Sequence, residues 1–522
     1  MTSKRKKIGL IFIGVFILAL AGLFYAKHLV TTKFEEMVEN LPNHIDLQYD
    51  TKDFDIVSGN FKLEKLLLTI KGKVTNDINA QIALESFSIK DLSYWELYSN
   101  DAINIESIRV VDPKITYYHN KNVEGQSYND VLKENFNKSF SFKKINIDNA
   151  RVEVFDMEND SILFSSENLN FESSSIVSNS IENSNLPFTF DGFLLTSENT
   201  KYKLNDFDNL FVKSIAINSK NSKLSEVKLQ TKYAKQELSK HLKTERDHFD
   251  LNVASVEIKN QKLITKKDST MSFVASNLIF NNLNFDIYRD KLVNDDLEHK
   301  LLYSKMLRQL TFGLDLKEIT IHNGLITYEE KVKSDKKAGK LDFTNLEAKI
   351  SNVSNMNEEG EQTTIDITSN FMGNTPLKVN WNFDVKDVND AFVFKADLGM
   401  LKAESLNQFM QPNLNIKLEG ELAKTYFTID GTANTSIVNL KTNYDQFDVI
   451  ILREDGKEKN KFLSGLVNLF ISKNSNDESN DFRASDTVTL ERDKTKSIFN
   501  FVWKNAQSGL LSAMAGDGKK EK

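Results

Sequence analysis

Residues able to carry chemistry are few in this chain, and their spacing assembles no familiar centre. The seven histidines are His28, His44, His119, His241, His248, His299 and His322. His241 and His248 stand seven apart in a charged stretch with no carboxylate at metalloprotease spacing, so they are expected as surface residues and not as zinc ligands. Cysteine is absent, which removes disulfides, thiolate metal sites and a thiol nucleophile together. No G-x-S-x-G elbow, phosphate-cradling glycine loop or dinucleotide fingerprint occurs. Asp295-Asp296 is an acidic pair of a kind that arises by chance, and it names no glycosidase by itself. The expectation is a chain without catalytic residues, metal or cofactor, whose work is done by the shape and polarity of its elements.

Those elements are many. The 522 residues exceed what one core accommodates, so several domains or a repeat-built body is expected. With 40% hydrophobic and 27% charged residues, most of the chain should fold. The 67 Lys and Arg against 74 Asp and Glu leave a net charge of -7, which offers no basic field to a phosphate backbone. Nucleic acid is therefore not an expected partner.

At the N-terminus, Lys4, Arg5, Lys6 and Lys7 precede an uncharged apolar run from Ile8 to Ala26. At about 1.5 Å per residue a helix of this run approaches the ~30 Å hydrocarbon thickness. The basic flank places the N-terminus in the cytoplasm and everything after about residue 30 across the membrane. A cleaved signal peptide is the competing reading, because Ala19-Leu20-Ala21 resembles a small-x-small cleavage site. The run is long for a signal peptide, which favours a retained single-pass anchor over residues 1–30, followed by a short helix over Thr31 to Asn40.

From Ile45 onward, apolar and polar residues alternate as in strands. One pattern recurs. Ile108, Val110, Ile115 and Tyr117 surround Asp112-Pro113; Ile145, Ile147, Val152 and Val154 surround Asn149-Ala150; Ile319, Ile321, Ile326 and Tyr328 surround Asn323-Gly324. Weaker copies begin at Val256 and Ile215. In each clear copy the apolar parity flips at the central Asn or Asp. A slip within one strand would do this, but a two-residue hairpin explains more, setting Ile147 opposite Val152 and Ile321 opposite Ile326. The four apolar residues then share one face, and Asn146, Asp148, Arg151 and Glu153, or Thr320, His322 and Thr327, share the other. Pro113 cannot take a type I′ turn, so its copy needs a bulge or a longer loop.

Return strands follow, as in Leu84 to Ile89, Leu278 to Phe285 and Leu341 to Ile350. Hairpin plus return strand makes a meander unit, and irregular repetition of such units predicts an elongated, curved antiparallel sheet over residues 31–354. Its apolar face is either covered by a second sheet or curled into a groove, and periodicity does not separate the two. Lys228 to Asp250 and Asp290 to Leu307 read as helical, whereas Glu329 to Lys340, Asn355 to Glu361 and Lys473 to Asp481 read as polar loops. Strands resume over 355–490. In the final segment, 491–522, Ile498, Phe501, Val502, Ala506, Leu510 and Met514 recur at helical spacing, which predicts an amphipathic helix from Ser497 to Met514 capping one end of the β body. Its polar side is expected to hold Lys504, Asn505, Gln507, Ser508 and Ser512.

The single N-terminal helix, the Ile-x-Ile-x-Asn-x-x-Ile repeats, Ser405 to Phe409 and Leu414 to Gly420 resemble the AsmA-like envelope proteins, especially their Bacteroidetes-type forms. The ending is the most similar part: Tyr444 to Leu452, Lys461 to Phe470 and Glu491 to Leu510. The resemblance implies an inner-membrane protein with a periplasmic β-groove that carries or shields phospholipid for the outer membrane. On that reading the twelve apolar residues of the three clear copies line the groove. The alternative is a non-enzymatic assembly factor whose closed sheet docks other envelope proteins.

Overall fold

The computed structural model describes residues 27–72, 75–100, 102–120, 139–178, 188–189, 191–265, 270–453, 475, 482–514 and 519–521. The apolar run from Ile8 to Ala26 and the segment Lys461 to Phe470 lie outside them. No helix among the described residues is long and apolar enough to cross a membrane. The chain is mainly β and divides into two compact units, one of Met1–Lys203 with Val212–Ser219 and Thr265–Ser269, the other of Leu204–Phe211, Lys220–Ile264 and Thr270–Lys522.

The first unit opens with helix α1 (27–39). Its strands are β1 (Ile45–Gln48), β2 (Thr51–Asp55), β3 (Asn60–Lys71), β4 (Ile78–Leu92), β5 (Ile103–Val111), β6 (Lys114–His119), β7 (Phe140–Asp156), β8 (Ile162–Ser178), β9 (Phe188–Thr189) and β10 (Gly192–Lys203), with α2 (Tyr94–Ser99) between β4 and β5. β1 and β2 both pair with β3, and β3 with β4. β4 then pairs with β5 along one half and β6 along the other. β5 and β6 are thus two halves of one path, interrupted at Asp112-Pro113 without a reversal. β7 lies beside both, followed by β8 and β10.

The expected hairpins at Asn149 and Asn323 do not form. β7 runs straight through Asn149, and a strand over Gly313–Lys331 runs straight through Asn323, each central asparagine standing in the left-handed region at φ 56° and 53°. A short polar side chain enters that region at low cost, and one such residue makes a β-bulge that turns the following side chains over. The partner strand carries a matching bulge. Ile147 faces Phe171 and Ala150 faces Leu169, an extra residue on β7; Val152 then faces Ser166, an extra residue on β8 near Asn168 at φ 48°. The parity flip in the sequence is therefore the slip within one strand, and the hairpin reading is corrected.

The repeats are also neighbours, and they run parallel where an antiparallel sheet was expected. Ile108 faces Ile145, Val110 faces Ile147, Ile115 faces Val152 and Tyr117 faces Val154. Bulges at the same level are stitched together: the Asn149 side-chain amide donates to Asp112 Oδ1 at 2.6 Å, Asp112 N to Asp148 O at 2.9 Å, and Arg151 N to Pro113 O at 2.8 Å.

β11 (Asp208–Asn218) has residues in both units. The second unit continues with β12 (Ser222–Thr231), β13 (Asp247–Lys259), β14 (Lys262–Thr265), β15 (Met271–Asp290), β16 (Gly313–Lys331), β17 (Gly339–Ser354), β18 (Gln362–Phe371), β19 (Thr375–Asp384), β20 (Phe392–Leu398), β21 (Leu401–Lys402), β22 (Ile416–Gly431), β23 (Thr435–Ile451), β24 (Phe482–Ala484), β25 (Val488–Glu491) and β26 (Lys519–Glu521). β15 and β16 are parallel, and their bulges share a hydrogen bond from the Asn323 amide to Asn282 Oδ1 at 2.7 Å. From β16 onward the order is antiparallel through β17, β18, β19, β20, β22 and β23. The expected loop from Asn355 to Glu361 connects β17 to β18.

Two stretches read as helical are mostly not. Lys228 to Asp250 holds the end of β12, a single-turn α3 (Lys235–Leu238), a 3₁₀ turn and the start of β13; Asp290 to Leu307 is irregular up to α4 (Tyr303–Arg308). Charge spacing mimicked a helix there, while the segments are held by side chains. Glu245, its side chain 2% exposed, pairs with Lys291 at 2.6 Å and Lys496 at 3.6 Å, and Arg289 grips Asp247 through two bonds of 2.6 and 2.7 Å. Two more helices follow, α5 (Asn407–Leu414) and the C-terminal α6 (Ile498–Met514). α6 packs Ile498 and Phe501 against Trp381, Phe394, Ile429 and Val438, and Met514 among Leu401, Leu422 and Tyr444.

Candidate functional site

In the first unit, cross-strand rows set apolar side chains side by side. One row passes from Leu47 through Leu68, Ile82 and Ile115 to Val152, another from Leu63 through Phe87, Val110 and Ile147 to Phe171. All but the end residues Val152 and Phe171 floor a cavity of about 820 Å³ that also reaches Leu66, Leu84 and Ile89. α1 lies over it with Val30, Phe34 and Met37. Phe34 fixes the helix, its ring centroid 5.5 Å from Phe54 and 5.4 Å from Phe61 in edge-on contacts. The Lys52 ammonium donates to the Glu35 carboxylate, a bond that raises the Lys52 pKa, and holds the outer side of the helix. Polar side chains reach the lining only as Lys33, Asn60 and Tyr94 among the described residues, and Lys33 is paired with Glu36 at 2.7 Å. The volume falls in the ~300–1,000 Å³ range of ligand pockets. Such an apolar lining suits an apolar molecule.

Of the twelve apolar residues singled out in the sequence, Val110, Ile115 and Ile147 line this cavity. Ile108 and Ile145 share a row with Ile89, and Tyr117 and Val154 share one with Ala80 and Ile70, on either side of it. All eight in this unit are half-buried, as are Asn146, Asp148 and Glu153 on the other face. The short helix expected over Thr31 to Asn40 carries no site residue in the sequence reading, although Val30, Phe34 and Met37 recur at helical spacing.

The remaining four, Ile319, Ile321, Ile326 and Tyr328, are half-buried on β16 of the second unit. The Tyr328 hydroxyl donates to Glu330 at 2.7 Å, and burial pushes its pKa up. Ile319 starts a row through Ile350, Ile365, Trp381 and Phe394 to Ile429 and Val438. Ile321 starts a parallel row through Ala348, Ile367, Val379, Ala396 and Phe427 to Leu440. Along the first row burial rises from the half-buried Ile319 to the buried Trp381, Phe394, Ile429 and Val438, where α4 and α6 lie: Tyr303 packs 5.4 Å from Trp381, and Phe501 6.5 Å from Phe392.

On α6, Ile498, Phe501 and Met514 are buried, whereas Val502 and Leu510 are only half-buried. The buried stripe passes instead through Asn505, Gly509 and Ala513. Asn505, expected on the polar side, is 0% exposed; it accepts from Ser436 Oγ at 2.8 Å and donates to Phe501 O at 2.8 Å. These satisfied bonds admit an amide to the interior.

A second concavity in this unit, of about 890 Å³, is lined by Thr320, Lys349, Asp366, Asn380 and Lys395 of one cross-strand row and by members of the Ile321 row beside it. His322 at its margin lies 2.9 Å from Glu347. The other histidines of interest separate: His241 is exposed and stacks on Tyr233 at 3.9 Å, while His248, expected at the surface, is 7% exposed with Nε2 3.0 Å from Tyr233 O. Among the described residues no three His, Asp or Glu side chains gather in a way that could hold a metal ion. No protein-family model and no curated protein matches this chain, which leaves the pocket, the one-faced apolar rows and their helical cover as the grounds for a function.

Proposed function

We propose that this protein is a single-pass membrane protein of the cell envelope that binds phospholipid in an apolar β-groove and carries or shields it for the outer membrane. The observation that supports this best is the cavity of about 820 Å³ under α1, floored by half-buried aliphatic side chains from successive strands. A closed sandwich would bury such residues against a second sheet; here the lid is one helix. Paired bulges, which bend strands while keeping one face apolar, suit a curved groove. The apolar run from Ile8 to Ala26 supplies the anchor, its basic flank puts the body in the periplasm, and the resemblance to AsmA-like proteins supplies the cargo class. A second reading, an assembly factor that docks other envelope proteins, draws on the second unit, where α4 and α6 cover part of the apolar face.

Gentle extraction followed by lipid mass spectrometry tests the proposal, with stoichiometric phospholipid expected. A photo-crosslinking residue at Ile147 should form phospholipid adducts, and one at Arg151, exposed on the other face, should not. A folded, lipid-free protein with no adduct at Ile147 would leave the docking reading in its place.

A further inference from the structure

We propose that the end of the first unit where the β2–β3 turn meets α1 and α2 is seated in the headgroup layer of a phospholipid bilayer, so that the pocket opens onto the membrane. This rests on the phospholipid-binding reading above. Val57 in the turn is 75% exposed, and Trp95 and Tyr94 in the first turn of α2 are 72% and 42% exposed. Single exposed apolar residues are ordinary. These belong to segments in backbone contact: Leu92 N donates to Gly59 O at 3.0 Å, and a Cβ on Gly59 would stand 2.6 Å from Leu92 O, so that approach requires glycine.

α1 begins at the same end. Lys27 Nζ lies 3.5 Å from Asp53, two residues before Asp55 and the turn. Hydrogen bonds from the Ser58 side chain and backbone, with a lesser contribution from the Lys27 charge, hold the Asp55 carboxyl below its ordinary range. Leu29 and Val30 are exposed in the first turn of the helix. The apolar run from Ile8 to Ala26 joins α1 at Lys27, so chain that enters a bilayer enters it here. Trp and Tyr prefer the membrane–water interface, where an apolar ring and a polar edge are both satisfied. Tyr94 belongs to the exposed patch and to the cavity lining alike, which makes seat and mouth continuous.

The chain has 3 Trp, so Trp381→Phe with Trp503→Phe leaves Trp95 as the reporter. In the full-length protein reconstituted into phosphatidylglycerol/phosphatidylcholine vesicles, lipids brominated near the headgroup should quench Trp95 at least about twofold. Should Trp381→Phe not fold, the same quenching is read as the difference between the wild-type protein and Trp95→Phe. Val57→Ser with Trp95→Ser should slow loading of a fluorescent phospholipid by about tenfold, with the final occupancy kept. Absence of quenching, or loading at an unchanged rate, overturns the proposal. Quenching without any loading would sink the phospholipid-binding reading while leaving the seat in place.

Discussion

Gly509 looks like a flaw in α6, since glycine weakens a helix interior by about 1 kcal/mol relative to alanine. Its surroundings explain it. A Cβ there would stand 2.9 Å from Leu440 Cβ, inside contact distance, so glycine lets the helix lie close on β23. Gly509→Ala should therefore lower the unfolding midpoint, with overpacking of ~1–3 kcal/mol exceeding the helix gain; a raised midpoint by calorimetry would refute the contact. His248 supplies a pH dependence. Burial depresses its pKa below 6.5, opposed by the Tyr233 carbonyl, assisted by Lys235 and opposed by Asp250. The unfolded chain then binds a proton that the folded one resists, so stability is full above pH 6.5 and falls as pH drops toward the lowered value, by at most about 1.4 kcal/mol per pH unit. In urea titrations at stepped pH, His248→Gln should flatten that slope. Neither residue announces itself in the sequence, because close approach and burial come from partners more than sixty residues away in one case and from a neighbouring strand in the other.

The bulged strand carries the fold's logic. Asn149→Gly keeps the left-handed backbone and gives up the bond to Asp112, whereas Asn149→Val adds strain of about 1–2 kcal/mol. Deleting Asn149 should be worse than either, since a one-residue slip turns Val152 and Val154 outward and Arg151 and Glu153 toward the pocket face. Denaturation midpoints in the order wild type, Gly, Val, deletion are expected; a deletion as stable as the glycine variant would contradict the pairing. The sequence showed the parity flip and the shared apolar face. It could not show whether the chain reverses there, because a hairpin and a paired bulge put the same side chains on the same side. What decides is the partner strand, where Asn168 and Asn345 supply the compensating slip. The helical readings of Lys228 to Asp250 and Asp290 to Leu307 failed for a related reason: ion pairs such as Glu245 with Lys291 join segments distant in sequence and leave no periodicity to read.

For the molecule as a whole, the proposed topology predicts that protease added to spheroplasts digests the body and leaves a small fragment containing Ile8 to Ala26. Full protection of the body would reverse the orientation. A further consequence lies in the row that starts at the half-buried Ile319 and reaches Val438 beneath α6. On the proposed phospholipid-binding reading, an acyl chain lying along that face would meet the C-terminal helix as a dead end. Under that proposal the apolar track within this unit would have a fixed capacity, a berth and not a pipe.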